Sequence, residues 1–326
     1  MDNIKISPHI DYFYGTIKKA NSFSRKLYPR SRRKKYEENY FENIKNQIHN
    51  EQKKLLHIHH GQRKLLLTEI EFITNEYYKL KNNKQKIVLY IGASKGISSI
   101  HTYILAKLFP EIEYILYDKY DFYEKLYTLT NVKIFKRWFT NNDSKLYKNK
   151  NVLLISDMRD PDISKAKNNK NLNKQNKVVY DDMLIQKKFY EDIKPVSALL
   201  KFRLPWTSGK TKYLDGDIYY QVWQGAGSTE TRLVPNGKIK EYDNTSYEER
   251  LFYFNTETRF RYYEHDYACY GHCFDCMSEI TILENYIKLK KLKISVCDLG
   301  RKITKELSIN KNKHIFTNTL LQKYKI

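Results

Sequence analysis

Four residues in this chain have types and settings suited to proton chemistry: Lys64, Asp157, Lys201 and Glu230. Lys201 lies inside Ala198-Leu199-Leu200-Lys201-Phe202, where an ammonium is costly to bury unless carboxylates pair with it. Asp157, at the end of the apolar run Val152-Leu153-Leu154-Ile155-Ser156, and Glu230 are the available partners. Burial depresses a lysine pKa, and a lysine tuned that way can act as a base near neutral pH. The bland alternative is an internal ion-pair cluster at a strand end. A second group of residues suits ligand holding. Gly92-Ala93-Ser94-Lys95-Gly96 follows the apolar run Ile87-Val88-Leu89-Tyr90-Ile91, and Asp118 lies 26 residues after Gly92. A Gly-rich turn lets backbone approach a ligand closely, and a carboxylate at the next strand end can accept from both ribose hydroxyls of an adenosine. That pairing fits a dinucleotide or S-adenosylmethionine. The glycines do not follow G-x-G-x-x-G, which leans away from NAD.

These groups need a scaffold, and the hydrophobic pattern supplies one. Leu65, Leu66, Ile70, Phe72, Ile73 and Tyr77 fall near a 3.6-residue spacing and predict a helix over 62–80. Apolar runs at 87–91, 113–117, 132–135, 151–156 and 198–203 predict buried strands, with helices near 98–109 and 180–193 between them. The alternation implies an α/β fold: a Rossmann-like, mostly parallel central sheet flanked by helices. Asp215-Gly216 reads as a turn before late strands at 217–223 and 230–234, and 246–290 reads as helical. Three regions follow: a basic, aromatic N-terminal arm at 1–50, a domain at 51–295 with a mobile polar loop at 164–177, and a loosely held basic tail at 296–326.

Composition narrows the partners. Among 326 residues, 59 Lys and Arg face 37 Asp and Glu, a formal charge of +22. A polyanion is the natural partner, nucleic acid before an anionic membrane surface, although AT-rich codon usage also raises the Lys count. Four Cys do not make a disulfide scaffold and suggest a reducing compartment. Cys269, His272, Cys273 and Cys276 lie within eight residues, with His265 nearby. Zinc sites usually pair two separated ligand clusters, so buried thiols in a helix, and no metal, are expected. No apolar run is long enough to cross a bilayer, and Met1-Asp2-Asn3-Ile4-Lys5 lacks the apolar stretch of a signal peptide. The sequence therefore reads as a soluble, intracellular protein with no membrane partner.

The stretches GQRKLLLTEIEF, VLYIGASKG, VLLISDMR, ALLKFRLPW and TETRLV occur in that order between residues 61 and 234. Their order and the Lys64, Asp157, Lys201, Glu230 series resemble the K-D-K-E tetrad of RNA ribose 2′-O-methyltransferases. The likeness is to the poxvirus cap-specific family that also serves as the poly(A) polymerase regulatory subunit. The resemblance, spanning roughly residues 55–290, implies S-adenosylmethionine as cofactor and capped mRNA as substrate, with transfer to the 2′-hydroxyl of the first transcribed nucleotide. It implies that Lys201 is the base or hydroxyl-orienting group, that Asp157 and Lys64 orient and tune it, and that Glu230 completes the network. It assigns Tyr90, Gly92 and Gly96 to the methionine end of the cofactor, Asp118 to the ribose, and Arg137, Phe139 and Met158 to the neighbourhood of the adenine. Trp206 and Glu264 would read the methylated cap base. Lys95 stands where the family often has Pro, Ser208 where a second carboxylate is expected, and Gly227 where a Tyr is expected. The viral poly(A) polymerase catalytic subunit is the implied protein partner, and the cytoplasmic virus factory, with packaging in the virion, the implied location. The alternative is a non-catalytic RNA-binding stimulator of that polymerase; a cap-independent, rRNA-type 2′-O-methyltransferase is a third reading.

Overall fold

Five short apolar runs become the parallel half of one sheet. The computed structural model describes residues 60–308 apart from 95, 97–98, 159–171, 225–227, 257–258, 260–264 and 272. Its strands are β1 (Ile87–Ile91), β2 (Glu113–Tyr117), β3 (Val132–Phe135), β4 (Val152–Ser156), β5 (Ser197–Phe202), β6 (Lys210–Tyr219) and β7 (Thr231–Asp243). Their spatial order is β3-β2-β1-β4-β5-β7-β6. Neighbours from β3 to β5 are parallel, whereas β7 runs antiparallel to both β5 and β6. β1, β4 and β5 are buried along their whole length, which is why they read as continuous apolar runs without alternation.

The helices are α1 (His60–Glu76), α2 (His101–Leu108), α3 (Asn141–Tyr147), α4 (Leu172–Ile193), α5 (Asn244–Thr256), α6 (Phe274–Lys290) and α7 (Val296–Ser308). Strand side chains alternate between faces. Val88 and Tyr90 join a core with Leu66, Ile70, Leu105, Leu283 and Ile303 of α1, α2, α6 and α7. Leu89 and Ile91 join a second core with Val179, Met183, Phe189 and Leu251 of α4 and α5. The sheet thus presents the C-terminal ends of β1, β2, β4 and β5 at one edge, where open α/β sheets bind ligands.

Several expectations are corrected. Asp215-Gly216 is not a turn: both residues lie within β6, at a register irregularity against β7. A side chain on Gly216 would collide with the Val234 carbonyl oxygen, so glycine serves close strand approach here. The late strands are longer than expected because their outer residues, such as Lys212 and Lys238, are polar and exposed. The segment read as one helix over 246–290 holds two, α5 and α6. Helix α4 begins at Leu172, inside the polar stretch read as a loop; the part at 164–171 lies outside the described residues, as does the 1–50 arm. Within the region read as a tail, α7 buries Val296, Leu299, Ile303 and Leu307 against the first core. Those residues recur at helical spacing, and the dense lysines around them mask it. Residues 309–326 lie outside the described residues. Cys269 and Cys297 form a disulfide, contrary to the reading of Cys269 as a buried helix thiol. Among the described residues, no helix is long and apolar enough to cross a membrane.

Candidate active site

The four singled-out residues converge at the strand ends. Lys201 Nζ lies 2.9 Å from Asp157 Oδ1 and 3.3 Å from Glu230 Oε2, and Lys64 Nζ lies 3.6 Å from Glu230 Oε1. Each comes from a different element: Lys64 from the first turns of α1, Asp157 from the end of β4, Lys201 from β5, and Glu230 from the residue before β7. β5 outruns β4, whose register with it ends at Ser156 opposite Leu200. The buried backbone of Lys201, past the end of that pairing, is taken up by Gln186 of α4, whose side-chain amide accepts from Lys201 N at 3.1 Å and donates to Lys201 O at 3.2 Å. That clamp fixes the lysine's origin.

A fifth member, Arg232, was not anticipated. It sits directly across from Lys201 in the β5/β7 register. Its guanidinium donates to Asp157 Oδ1 at 2.6 Å and to Glu230 Oε1 at 2.9 Å. Burial opposes its charge, but Asp157 and Glu230 outweigh that and hold it above the ordinary arginine range. The signal was present in TETRLV: one arginine in an apolar strand segment, mirroring the one lysine in ALLKF. Arg232, Lys201 and Asp157 side chains are 3, 6 and 2% exposed, whereas Lys64 and Glu230 are 18 and 21% exposed. The cluster is closed below and open on the Lys64 and Glu230 side. Burial lowers the Lys64 amine to about 8; Glu230 and Asp157 pull it up, and Arg232 and Lys201 push it down.

Next to this cluster is a cradle of backbone. Gly92 has φ 77°, and a Cβ there would lie 2.8 Å from Met158 N and 2.9 Å from the Asp157 carbonyl carbon. Only glycine lets the ends of β1 and β4 meet this closely. Gly96 has φ 103° with open space around its Cα. Asp118, just past β2, is buried and accepts from Ser94 N at 3.0 Å and Tyr120 N at 3.1 Å. Burial raises its pKa; the backbone donors counter that, and the charge of Asp157 adds to the rise. Glycines that leave room for backbone contact and a carboxylate held at the β2 end fit the ribose and methionine portions of an adenosyl cofactor.

The other expected cofactor residues divide. Met158 is half-buried beside Gly92. Tyr90 is buried in the core under the cradle, donating its hydroxyl to Glu69 at 2.6 Å with His101 Nε2 at 3.4 Å. Phe139 packs edge-on against Tyr117 and Phe189, each with ring centroids 4.9 Å away. Arg137 forms a two-pronged pair with Asp143, at 2.7 and 2.6 Å, and its guanidinium lies 5.1 Å from the Tyr117 ring centre. Arg137 and Phe139 therefore build the wall between β3 and α3. Trp206 is half-buried; its indole donates to Thr229 Oγ1 at 2.8 Å, beside Glu230, and the Arg203 guanidinium lies 3.7 Å from its ring centre. Glu264, Lys95 and Gly227 lie outside the described residues.

A sheet ordered 3-2-1-4-5-7-6 with an antiparallel β7, a glycine turn after β1 and a carboxylate after β2 defines the Rossmann-like methyltransferase class. Comparison with known families is more specific. Residues 33–318 match the family described as Poly A polymerase regulatory subunit, and the chain belongs to that family. The chain is 26% identical over 273 residues to a protein of fowlpox virus (strain NVSL), covering 76% of this chain and 85% of the relative. That relative is named cap-specific mRNA (nucleoside-2′-O-)-methyltransferase. Among solved structures, bluetongue virus VP4, described as a multifunctional RNA-capping production-line, aligns at 14% identity over 55% of this chain and 30% of that one, with a TM-score of 0.37. That likeness is too slight to add to the fold.

Proposed function

We propose that this chain is an S-adenosylmethionine-dependent methyltransferase acting on the ribose 2′-hydroxyl of the first transcribed nucleotide of capped mRNA. The observation that carries the reading is the Lys201 amine, 2.9 Å from Asp157, at the strand edge that also bears the Gly92 and Asp118 cradle. S-adenosylmethionine, when bound, supplies an electrophilic sulfonium methyl, so the protein's work is alignment and proton handling. Gly92, Gly96 and Asp118 would hold the cofactor. Lys201 Nζ orients the 2′-hydroxyl and, in its neutral amine form, receives its proton. Asp157, fixed from behind by Arg232, keeps Lys201 in place. Glu230 joins Lys201 to Lys64, whose access to solvent provides an outlet for charge and proton. Tyr90 supports the floor from below, and Arg137, Phe139 and Met158 shape the adenine side. Trp206 stacks the cap base and Glu264 reads its positive charge.

The family description supports association with a viral poly(A) polymerase catalytic subunit; the cytoplasmic virus factory, with carriage in the virion, is the location this reading expects. The test is labelled S-adenosylmethionine with a short capped RNA, run beside the same RNA already methylated on its first ribose. Label is expected on the first RNA only, and lost in Lys201→Met. Binding of RNA without label on either substrate overturns the enzyme reading and leaves a non-catalytic polymerase partner.

A further inference from the structure

Outside the site, the sulfur chemistry of the molecule is concentrated at one place. Three of the four cysteines lie around the start of α6, and the fourth, Cys297 of α7, is joined to Cys269; Cys273 and Cys276 are free. The free pair is a Cys-x-x-Cys turn, Cys273-Phe274-Asp275-Cys276, with its sulfurs 3.4 Å apart. Cys273 is the N-cap of the 17-residue α6, is partly exposed, and its sulfur accepts from the Cys276 amide at 3.4 Å. Cys276 is fully buried. An accessible sulfur at a helix N-terminus followed three residues later by a buried one is the arrangement of dithiols that exchange with disulfides. The contact with Cys273 and then burial push the Cys276 thiol up, which leaves Cys273 as the attacking sulfur. A disulfide needs about 2.05 Å between sulfurs, so closure takes roughly 1.4 Å of movement within one helical turn. Among the described residues, no group of three His, Cys, Asp or Glu is placed to hold a metal ion.

We propose that Cys273 and Cys276 form a thiol–disulfide exchange centre whose co-reactant is a small-molecule or protein disulfide. The Cys273 thiolate attacks one sulfur of the incoming disulfide, forming a mixed disulfide and releasing one thiolate. Cys276 then gives up its proton and attacks the Cys273 sulfur, releasing the second thiolate. The protein dithiol is oxidised, the incoming disulfide is reduced, and the two protons end on the two released thiols. The turn is tied into the rest of the molecule. Asp275, between the two cysteines, accepts from Trp223 N at 2.9 Å and pairs with Arg259 at 3.4 Å, and Gln224 donates to the Glu230 carbonyl oxygen at 2.6 Å. This inference does not depend on the methyl-transfer reading.

The full-length protein is equilibrated with oxidised and reduced glutathione over a series of ratios, quenched by alkylation, and mapped by peptide mass spectrometry. The peptide carrying Cys273 and Cys276 is expected to lose two hydrogens reversibly as the ratio becomes more oxidising. Cys276→Ala is expected to trap glutathione on Cys273, and Cys273→Ser, which keeps a capping side chain, to trap at least roughly tenfold less on Cys276. A pair that stays reduced across the series overturns the proposal. So does an equal adduct in both variants, or purification of the wild-type chain with one zinc per molecule that these variants lose.

Discussion

Arg63 and Lys64 are sequence neighbours on α1 that serve two different charge clusters. Arg63 is wholly buried. Its guanidinium is paired twice with Glu279 of α6 and donates to Thr304 Oγ1 of α7 at 2.8 Å. Glu279 is filled in turn by the Trp223 indole at 2.7 Å and the Tyr270 hydroxyl at 2.8 Å. Burial opposes the Arg63 charge, and Glu279 more than restores it. Lys64 pairs with Glu230 at the looser distance of 3.6 Å, and burial leaves its amine near 8. The first cluster satisfies its charges with short, fixed bonds and locks three helices together. The second holds amines at looser distances on its open side, where a proton can be exchanged. Closed networks of this kind hold a fold in place, whereas open ones are available for chemistry.

The sharpest way to break this contrast is Lys201→Met. Methyl transfer is expected to fall by roughly 10²–10⁴ while the chain stays folded, because Arg232 still pairs with Asp157. Rate measurement beside a thermal melt decides it; retained activity would make the open cluster as structural as the closed one. Glu279→Gln should do the reverse. It leaves the buried Arg63 charge without its carboxylate and should cost about 3–5 kcal/mol in urea unfolding, with methyl transfer per folded molecule nearly unchanged. A loss of rate larger than the loss of stability would join the two clusters into one.

Lys64 sharpens the comparison through pH. Its folded pKa lies below its unfolded one, so between about 8 and 10.5 the unfolded chain binds more protons. The Lys64 contribution to stability should therefore climb with pH across that window, by up to about 3 kcal/mol, and be lost as pH falls to about 8. The difference in unfolding free energy between wild type and Lys64→Met should grow by that amount across the window, as chemical denaturation at several pH values would show. Competitive lysine acetylation should place the Lys64 midpoint near 8, and lower in Glu230→Gln, since Glu230 raises it. The smallest effect belongs to Trp206→Ala. Preference for a methylated over an unmethylated cap analogue should weaken by about 0.5–2 kcal/mol, read by competition in the transfer assay.

Much of this was legible in the residues, for physical reasons that also mark where legibility stopped. A parallel strand buried on both faces must be apolar throughout, so β1, β2, β4 and β5 stand out, and Asp157 and Asp118 stand out where those runs end. Lys201 was conspicuous because nothing else in its strand is charged. Arg232 was hidden because its meaning depends on a cross-strand register, set by residues 31 positions away in Lys201 and not by its own neighbours. Gln186 was hidden for the same reason: a helix glutamine reads as surface until a strand end needs its amide. The Cys269–Cys297 pairing spans 28 residues and two elements, and cysteine count alone pointed the other way.

The sheet order also bears on how the chain is made. β7 enters between β5 and β6, both of which precede it in sequence, and Leu233 pairs with Leu200 on one side and Ile218 on the other. During synthesis, a nascent chain complete through Tyr219 carries Lys64, Asp157 and Lys201 but neither Glu230 nor Arg232. Among the described strands β6 has only β7 to pair with, so it waits as an unzipped edge until the ribosome has released residues beyond 231. Contacts of such long sequence separation form late. The strand that seals the sheet therefore also brings the last two charges to the cluster around Lys201, and an unfinished or misdocked chain leaves Asp157 without its arginine.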